Sequence, residues 1–252
     1  MSDWYTEPFD RFLNFIKEAD RVLQLSVKGI YQISKQMPLL EALDNLARFR
    51  AERKLAPFEP RDFNSAKEEA EFARLEIERD FPLLHAHSLV SVWSAIEALF
   101  EDVLVAHIIH KPDILKEDVF QKIRILLAAY EQLNQEDKAR FLVYELQRSL
   151  NSEQRLGVDC FEALLKVVGL SGSVEEKIRR DIYELQQIRH TIVHRASLAD
   201  RKLITACPWL KIKSGERIMI SKEHYRCLSS AVSEYVTVVI KRATAIERTD
   251  KA

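Results

Sequence analysis

The stretch Ser91–Ile108, "SVWSAIEALFEDVLVAHI", decides the fold. With Leu89 just before it, Val92, Trp93, Ile96, Leu99, Phe100 and Val103 recur at three and four residues, the spacing of one face of an α-helix. The stripe holds until His110-Lys111-Pro112, where proline cannot continue a helix. A helix this long and this apolar belongs at the centre of a bundle, with other helices laid against it.

Its flanks have the same character. Upstream, "SAKEEAEFARLEIERD" (65–80) is rich in strong helix formers, and Pro82 suits either a kink or the first turn of the central helix. From Pro8 to about Lys35, apolar residues such as Phe9, Phe12, Ile16 and Leu23 keep mostly helical spacing, and a second helix is expected over 39–51. "KLAPFEPRDFN" (54–64), with two prolines, reads as a linker, so residues 1–62 are expected to form an N-terminal helical extension and 63–252 the main domain. Downstream, helices are expected at about 116–132, 135–149 and 153–168, the second capped by Asn134 and the third by Asn151 or Ser152. Gly169 and Gly172 then break the pattern. "SVEE" (173–176) has the form of a capping box, which predicts a helix from 174 carrying Ile178, Ile182, Leu185, Ile188 and Ile192. Residues 202–220 contain Pro208 and short alternating runs such as "RIMI", so an irregular segment with one small hairpin is expected, followed by a helix capped by Ser221 and running to about Ile246.

Composition agrees with an all-α chain. Only 5 Gly and 7 Pro occur among 252 residues, against a combined usage of roughly 12% in an average protein. Few turn residues mean long elements. The 38 basic and 39 acidic residues leave a net charge of -1, so no global positive excess points to nucleic acid or membrane, and any such site must be local. Cys160, Cys207 and Cys227 are dispersed and lack CxxC spacing, which fits a reducing compartment and disfavours a disulfide or zinc framework. With no basic-apolar leader pattern and no apolar run of about 18 residues, a cytoplasmic protein with no membrane contact is expected.

Chemistry concentrates near the end of the helix from 174. At about 100° per residue, setting Ile178 at zero puts Ile182, Leu185, Ile192 and Ala196 within about 40° of it and Arg189 at about +20°. Arg189 therefore lies within the apolar stripe, where a guanidinium cannot shed its charge and needs either an anionic partner or an aqueous cleft. Glu97, on the flank of the central helix, is the first choice of partner; Glu101 and Asp102 are equally available. His190, His194 and Tyr183 fall near +120°, +160° and +140°, on another side of the helix. A second copy related by a two-fold axis would bring these groups together in trans.

Other chemistries find less support. His190 and His194 have i, i+4 spacing, and His107 and His110 have i, i+3 spacing, but neither pair has a carboxylate-rich companion or lies in HExxH, so no metal site is expected. His85 and His87 would point about 200° apart on a helix. GxSxG, P-loop and GxGxxG patterns are missing, so no hydrolase serine and no cofactor is expected.

"ELQQIRHTIVHRAS" (184–197) resembles the signature of HEPN domains (higher eukaryotes and prokaryotes nucleotide-binding), in which Arg, four to six residues and His stand at the end of a core helix; here the pair is Arg189 and His194. The helix at 91–108 and the closing "ISKEHYRCLSSAVSEYVTVVIKR" (220–242) are similar to the other long helices of that family, and the likeness covers about residues 65–247. The resemblance implies a bundle of four to five core helices and a metal-independent endoribonuclease, active as a homodimer in a toxin-antitoxin or phage-defence setting with an antitoxin or other partner protein. His190 stands where the family often has Asn or Asp. Metal-free RNA cleavage needs a base, an acid and a cation for the phosphorane, and His with Arg supply these near neutral pH. The expected roles are acid-base chemistry for His194, phosphate binding for Arg189, phosphate orientation or shared proton transfer for His190, and substrate contacts for Arg195 and Tyr183, with tRNA or mRNA as substrate. Arg195 has a rival structural role, compensating the helix dipole. A non-catalytic module that binds RNA, a nucleotide or a partner protein is the other expectation, with Trp4, Tyr5 and Phe9 either its contact or packed on the main domain.

Overall fold

The computed structural model describes residues 3–56, 63–125, 127–151 and 155–250. In chain order the α-helices are α1 (Thr6–Ser34), α2 (Met37–Glu52), α3 (Phe63–Glu78), α4 (Pro82–His110), α5 (Asp118–Gln121), α6 (Leu127–Glu131), α7 (Gln135–Asn151), α8 (Val158–Val167), α9 (Glu176–Arg195), α10 (Arg201–Ala206) and α11 (Lys222–Asp250). Short 3-10 turns cover Pro112–Lys116 and Pro208–Leu210. No strand occurs among the described residues; Leu198 and Arg217 form a single antiparallel bridge where a hairpin was expected.

α4 is the central helix that its stripe predicts. α1, α7, α8, α9 and α11 all pack against it. Leu89, Ile96, Phe100, Val103 and Leu104 are fully buried, with Val92, Trp93 and Leu99 nearly so. Proline opens the helix at its first turn, where no amide hydrogen is needed. The two residues before it, Asp80 and Phe81, have φ of 60° and 54°, the left-handed region that a bulky residue occupies at a cost of about 1–3 kcal/mol. This pair reverses the chain between α3 and α4 and leaves Phe81 buried.

The N-terminal residues join the same core. Tyr5, Phe9 and Phe12 are buried with the residues of α4, and Trp4 lies edge-on to His107 with ring centroids 4.7 Å apart. Asp102 of α4 accepts from Arg11 of α1 at 3.0 Å and pairs with Arg140 of α7 at 2.8 Å, so one carboxylate joins three helices.

Several local expectations are corrected. The helix expected over 116–132 is broken: the 3-10 turn ends at Lys116, and residues 122–125 are not helical between the short α5 and α6. Asn134 caps α7, its Oδ1 accepting from the Asp137 amide at 2.9 Å, but Asn151 is the last residue of α7 and opens no helix; Ser152 lies outside the described residues. α8 begins only at Val158, after Gly157, whose φ of 59° sits where an added Cβ would come within 3.0 Å of Tyr183 Cα. The expected linker at 54–64 lies partly outside the described residues.

The capping box at Ser173 does not form. α9 starts at Glu176 with Glu175 at the N-cap position and no side-chain cap, two residues later than the box requires; Ser173 lies in the loop before it, where its carbonyl accepts from Arg242 of α11 at 2.8 Å. Arg242 also donates to the Leu170 carbonyl at 3.0 Å and to Glu162 at 2.8 Å. The other donors to Glu162 are Tyr235 at 2.8 Å and the Gly172 amide at 2.7 Å. This network ties the loop before α9 to α8 and α11. Ser221 does cap α11, accepting from the His224 amide at 3.2 Å, and α11 runs on to Asp250.

Candidate functional site

α9 lies among α4, α8, α10 and α11, and this crowding turns its buried face away from the expected centre. Ile178, Ile182, Leu185 and Ile188 are buried, but so are Glu184, Gln187 and Thr191, while Val193 is 48% exposed and Ala196 is also exposed. Periodicity counts only apolar residues, and three polar side chains fill the rest of the buried arc. Arg189 consequently stands at the edge of that arc.

Arg189 is half-buried, and its Nε is enclosed without a hydrogen-bond partner. No carboxylate pairs with it among the described residues. Glu97 is not its partner: it lies on the exposed side of α4, in a groove with Glu101, Gln147 and Cys160. Asp102 is held by Arg11 and Arg140. Of the two environments the sequence allowed for Arg189, the anionic partner is missing from the described residues of this chain.

One turn apart on the next face, His190 and His194 bring their rings to 4.7 Å between centroids, at 49°. His194 is exposed and His190 half-buried. Burial, then the Lys202 ammonium, then His194 push the His190 pKa below its ordinary 6.5, outweighing Asp200, which acts in the opposite sense. His190 is therefore a neutral imidazole at neutral pH, able to accept a proton.

The chain after His194 turns sharply. Ala196 and Ser197 have φ of 49° and 65°, and the amide of Ile218 donates to the Ser197 carbonyl at 2.8 Å while that of Ala199 donates to the Glu216 carbonyl at 2.8 Å. The irregular segment thus holds the end of α9. Asp200 accepts from the Leu203 amide at 2.9 Å, capping α10, and lies 3.6 Å from Arg195. Arg195, exposed and paired with Asp200, fits the structural role. α10 brings Lys202 close enough to act on His190, a residue that helical spacing on α9 has no means of including.

Tyr183 shares the face of the histidines but stands about two turns, roughly 10 Å, from His190. It lines a separate groove of about 420 Å³ with Arg179, Arg180 and Trp209. Arg180 lies over the Trp209 ring, 4.3 Å from its centroid. Beneath it Glu184, buried, accepts from Trp209 Nε1 and meets His224 Nε2 at 2.5 Å. Neither Trp209 nor His224 was legible as a partner of α9, because they are brought there by the 3-10 turn after α10 and by α11, from 25 and 40 residues away.

Chemically, the end of α9 offers an unpaired guanidinium, a neutral imidazole, a second imidazole open to solvent and a nearby ammonium. No group of three metal-ligating side chains occurs among the described residues. Nor is any described helix long and apolar enough to cross a membrane. Comparison with family models, curated proteins and solved structures returned no match, so the reading of this site rests on its own residues.

Proposed function

We propose that this chain is a metal-independent endoribonuclease of the HEPN type, acting as a homodimer in phage defence or a toxin-antitoxin pair. The observation that carries this reading is Arg189: a half-buried guanidinium with its Nε enclosed and unpartnered, beside a pair of histidines at the same helix end. An enclosed cation without a carboxylate is a site for an external anion, and a phosphodiester matches the planar fork of arginine.

The reaction follows from the residue types. His190, neutral, takes the proton of the 2'-hydroxyl; the 2'-oxygen attacks phosphorus; and the 5'-oxygen leaves with a proton from His194. Arg189 stabilises the charge of the phosphorane, with Lys202, which acts on His190, as a further cation of the site. The products are a 2',3'-cyclic phosphate and a 5'-hydroxyl. In a dimer, two such helix ends facing one cleft supply the groups in trans.

The test is incubation of purified protein with total RNA and tRNA in EDTA, beside His194→Ala, with mapping of the ends. Cleavage to 2',3'-cyclic phosphate by the wild type alone supports the reading. Intact RNA at high protein concentration overturns it.

A non-catalytic helical module is the second reading. It is favoured by the exposed apolar side chains of α1 and α2, among them Leu13, Val22, Leu25 and Leu39, with Phe72 on α3, which suit a partner protein better than a solvated face. That reading predicts binding without cleavage products.

A further inference from the structure

A groove of about 390 Å³ opens where the second half of α1 passes the α3–α4 junction and the first turns of α11. It shares no residue with the end of α9. Its size lies within the usual range for small-ligand sites, roughly 300–1,000 Å³.

One wall is a run of four rings. Tyr31 meets Phe81 at 5.5 Å between centroids, Phe81 meets His85 at 6.4 Å, and His85 stacks on Tyr225 at 5.4 Å with 16° between planes. His85 is 3% exposed, and its Nδ1 is fixed by the Ile220 carbonyl at 3.2 Å. Phe81 is set by the left-handed pair at Asp80 and Phe81. Phe81 and His85 are buried, Tyr225 is half-buried and Tyr31 stands at the open edge.

The opposite feature is charge. Lys28, Lys222 and Arg226 line the groove, and among the described residues no carboxylate pairs with any of them. Two acids share the groove and are oriented by neutral donors: Asp80 accepts from the Lys222 amide at 2.6 Å, and Asp20 accepts from Gln24 at 2.6 Å. Three cations against two carboxylates leave the groove one net positive charge, and beside a face of aromatic rings this favours a ligand that is both flat and negative.

We propose that this groove binds a small planar aromatic anion, a ring bearing a carboxylate or a phosphate. The ring lies against Tyr31, Phe81 and Tyr225, and its anionic group sits between Lys28 and Arg226.

Calorimetric titration of the full chain with indole-3-acetate, salicylate and AMP tests this, with indole-3-acetamide as the neutral counterpart and a Lys28→Glu, Arg226→Glu double variant as the control. Both substituted side chains are exposed, and unchanged helicity and melting temperature will verify that the variant is folded. The expected result is saturable binding of at least one of the three anions, weakened by about tenfold or more in the double variant, with the acetamide weaker than the acetate by a similar factor if the acetate binds. The proposal is overturned if none of the three binds at millimolar concentration, if the double variant binds as the wild type does, or if the neutral amide binds as tightly as the acid.

Discussion

Arg189 is a position where stability and activity pull apart. Its Nε is enclosed with no partner, so the folded protein bears the cost of desolvating it without a compensating hydrogen bond. Arg189→Met keeps the aliphatic stem and removes the polar atoms. Chemical denaturation is expected to place this variant within about 1 kcal/mol of wild type or above it, while RNA cleavage is lost. A loss of several kcal/mol in Arg189→Met would mean that the guanidinium is held by an internal anion.

His190 gives a pH signature at the same scale. Its folded pKa lies below the ordinary 6.5, so around that value the unfolded chain binds more protons than the folded one. Stability from this residue is complete above about pH 7.5 and is lost as pH falls through 6.5 towards the lowered folded value. Denaturation midpoints between pH 8 and pH 5 should therefore fall less steeply in His190→Gln than in wild type. Parallel slopes for the two proteins would contradict a desolvated His190.

Among the elements, the junction of α8, α9 and α11 carries the clearest burden. Glu162 receives Tyr235, Arg242 and the Gly172 amide, and burial next to that carboxylate raises the Tyr235 pKa. Glu162→Ala leaves a guanidinium and a phenol without their acceptor, and a loss of about 3–5 kcal/mol is expected from urea unfolding. A loss below about 1 kcal/mol would show that Arg242 is satisfied by the Leu170 and Ser173 carbonyls alone. At the same junction a well-formed local signal fails. Ser173 and Glu176 have the right spacing for a capping box, but the helix starts two residues later, with Glu175 at the N-cap position, and Ser173 lies in a loop held by Arg242 from 69 residues away. Asn134 and Ser221 each stand directly before their helices, and both act as caps.

Across the whole molecule, the N-terminal residues and the central helix share one core. Phe9 is 4% exposed and belongs to the cluster that contains Phe100 and Trp93. Phe9→Ala is expected to cost about 3–5 kcal/mol and to lower a single cooperative transition. Calorimetry showing an unchanged main transition with a separate early one would instead indicate that α1 unfolds by itself.

The sequence by itself determined the all-helical character, the position of α4 as the central helix and the concentration of Arg189, His190 and His194 at one helix end. These depend on periodicity, on scarce glycine and proline, and on neighbours within two turns, all of which are local properties. Only the tertiary structure decided which face of α9 is buried, that Glu97 stands away from Arg189, that Lys202 stands near His190, and that Glu184 joins Trp209 to His224. Those outcomes depend on how helices distant in sequence pack against one another, and hydrogen bonds and charge effects between such helices leave no trace in the spacing of residues along any one of them.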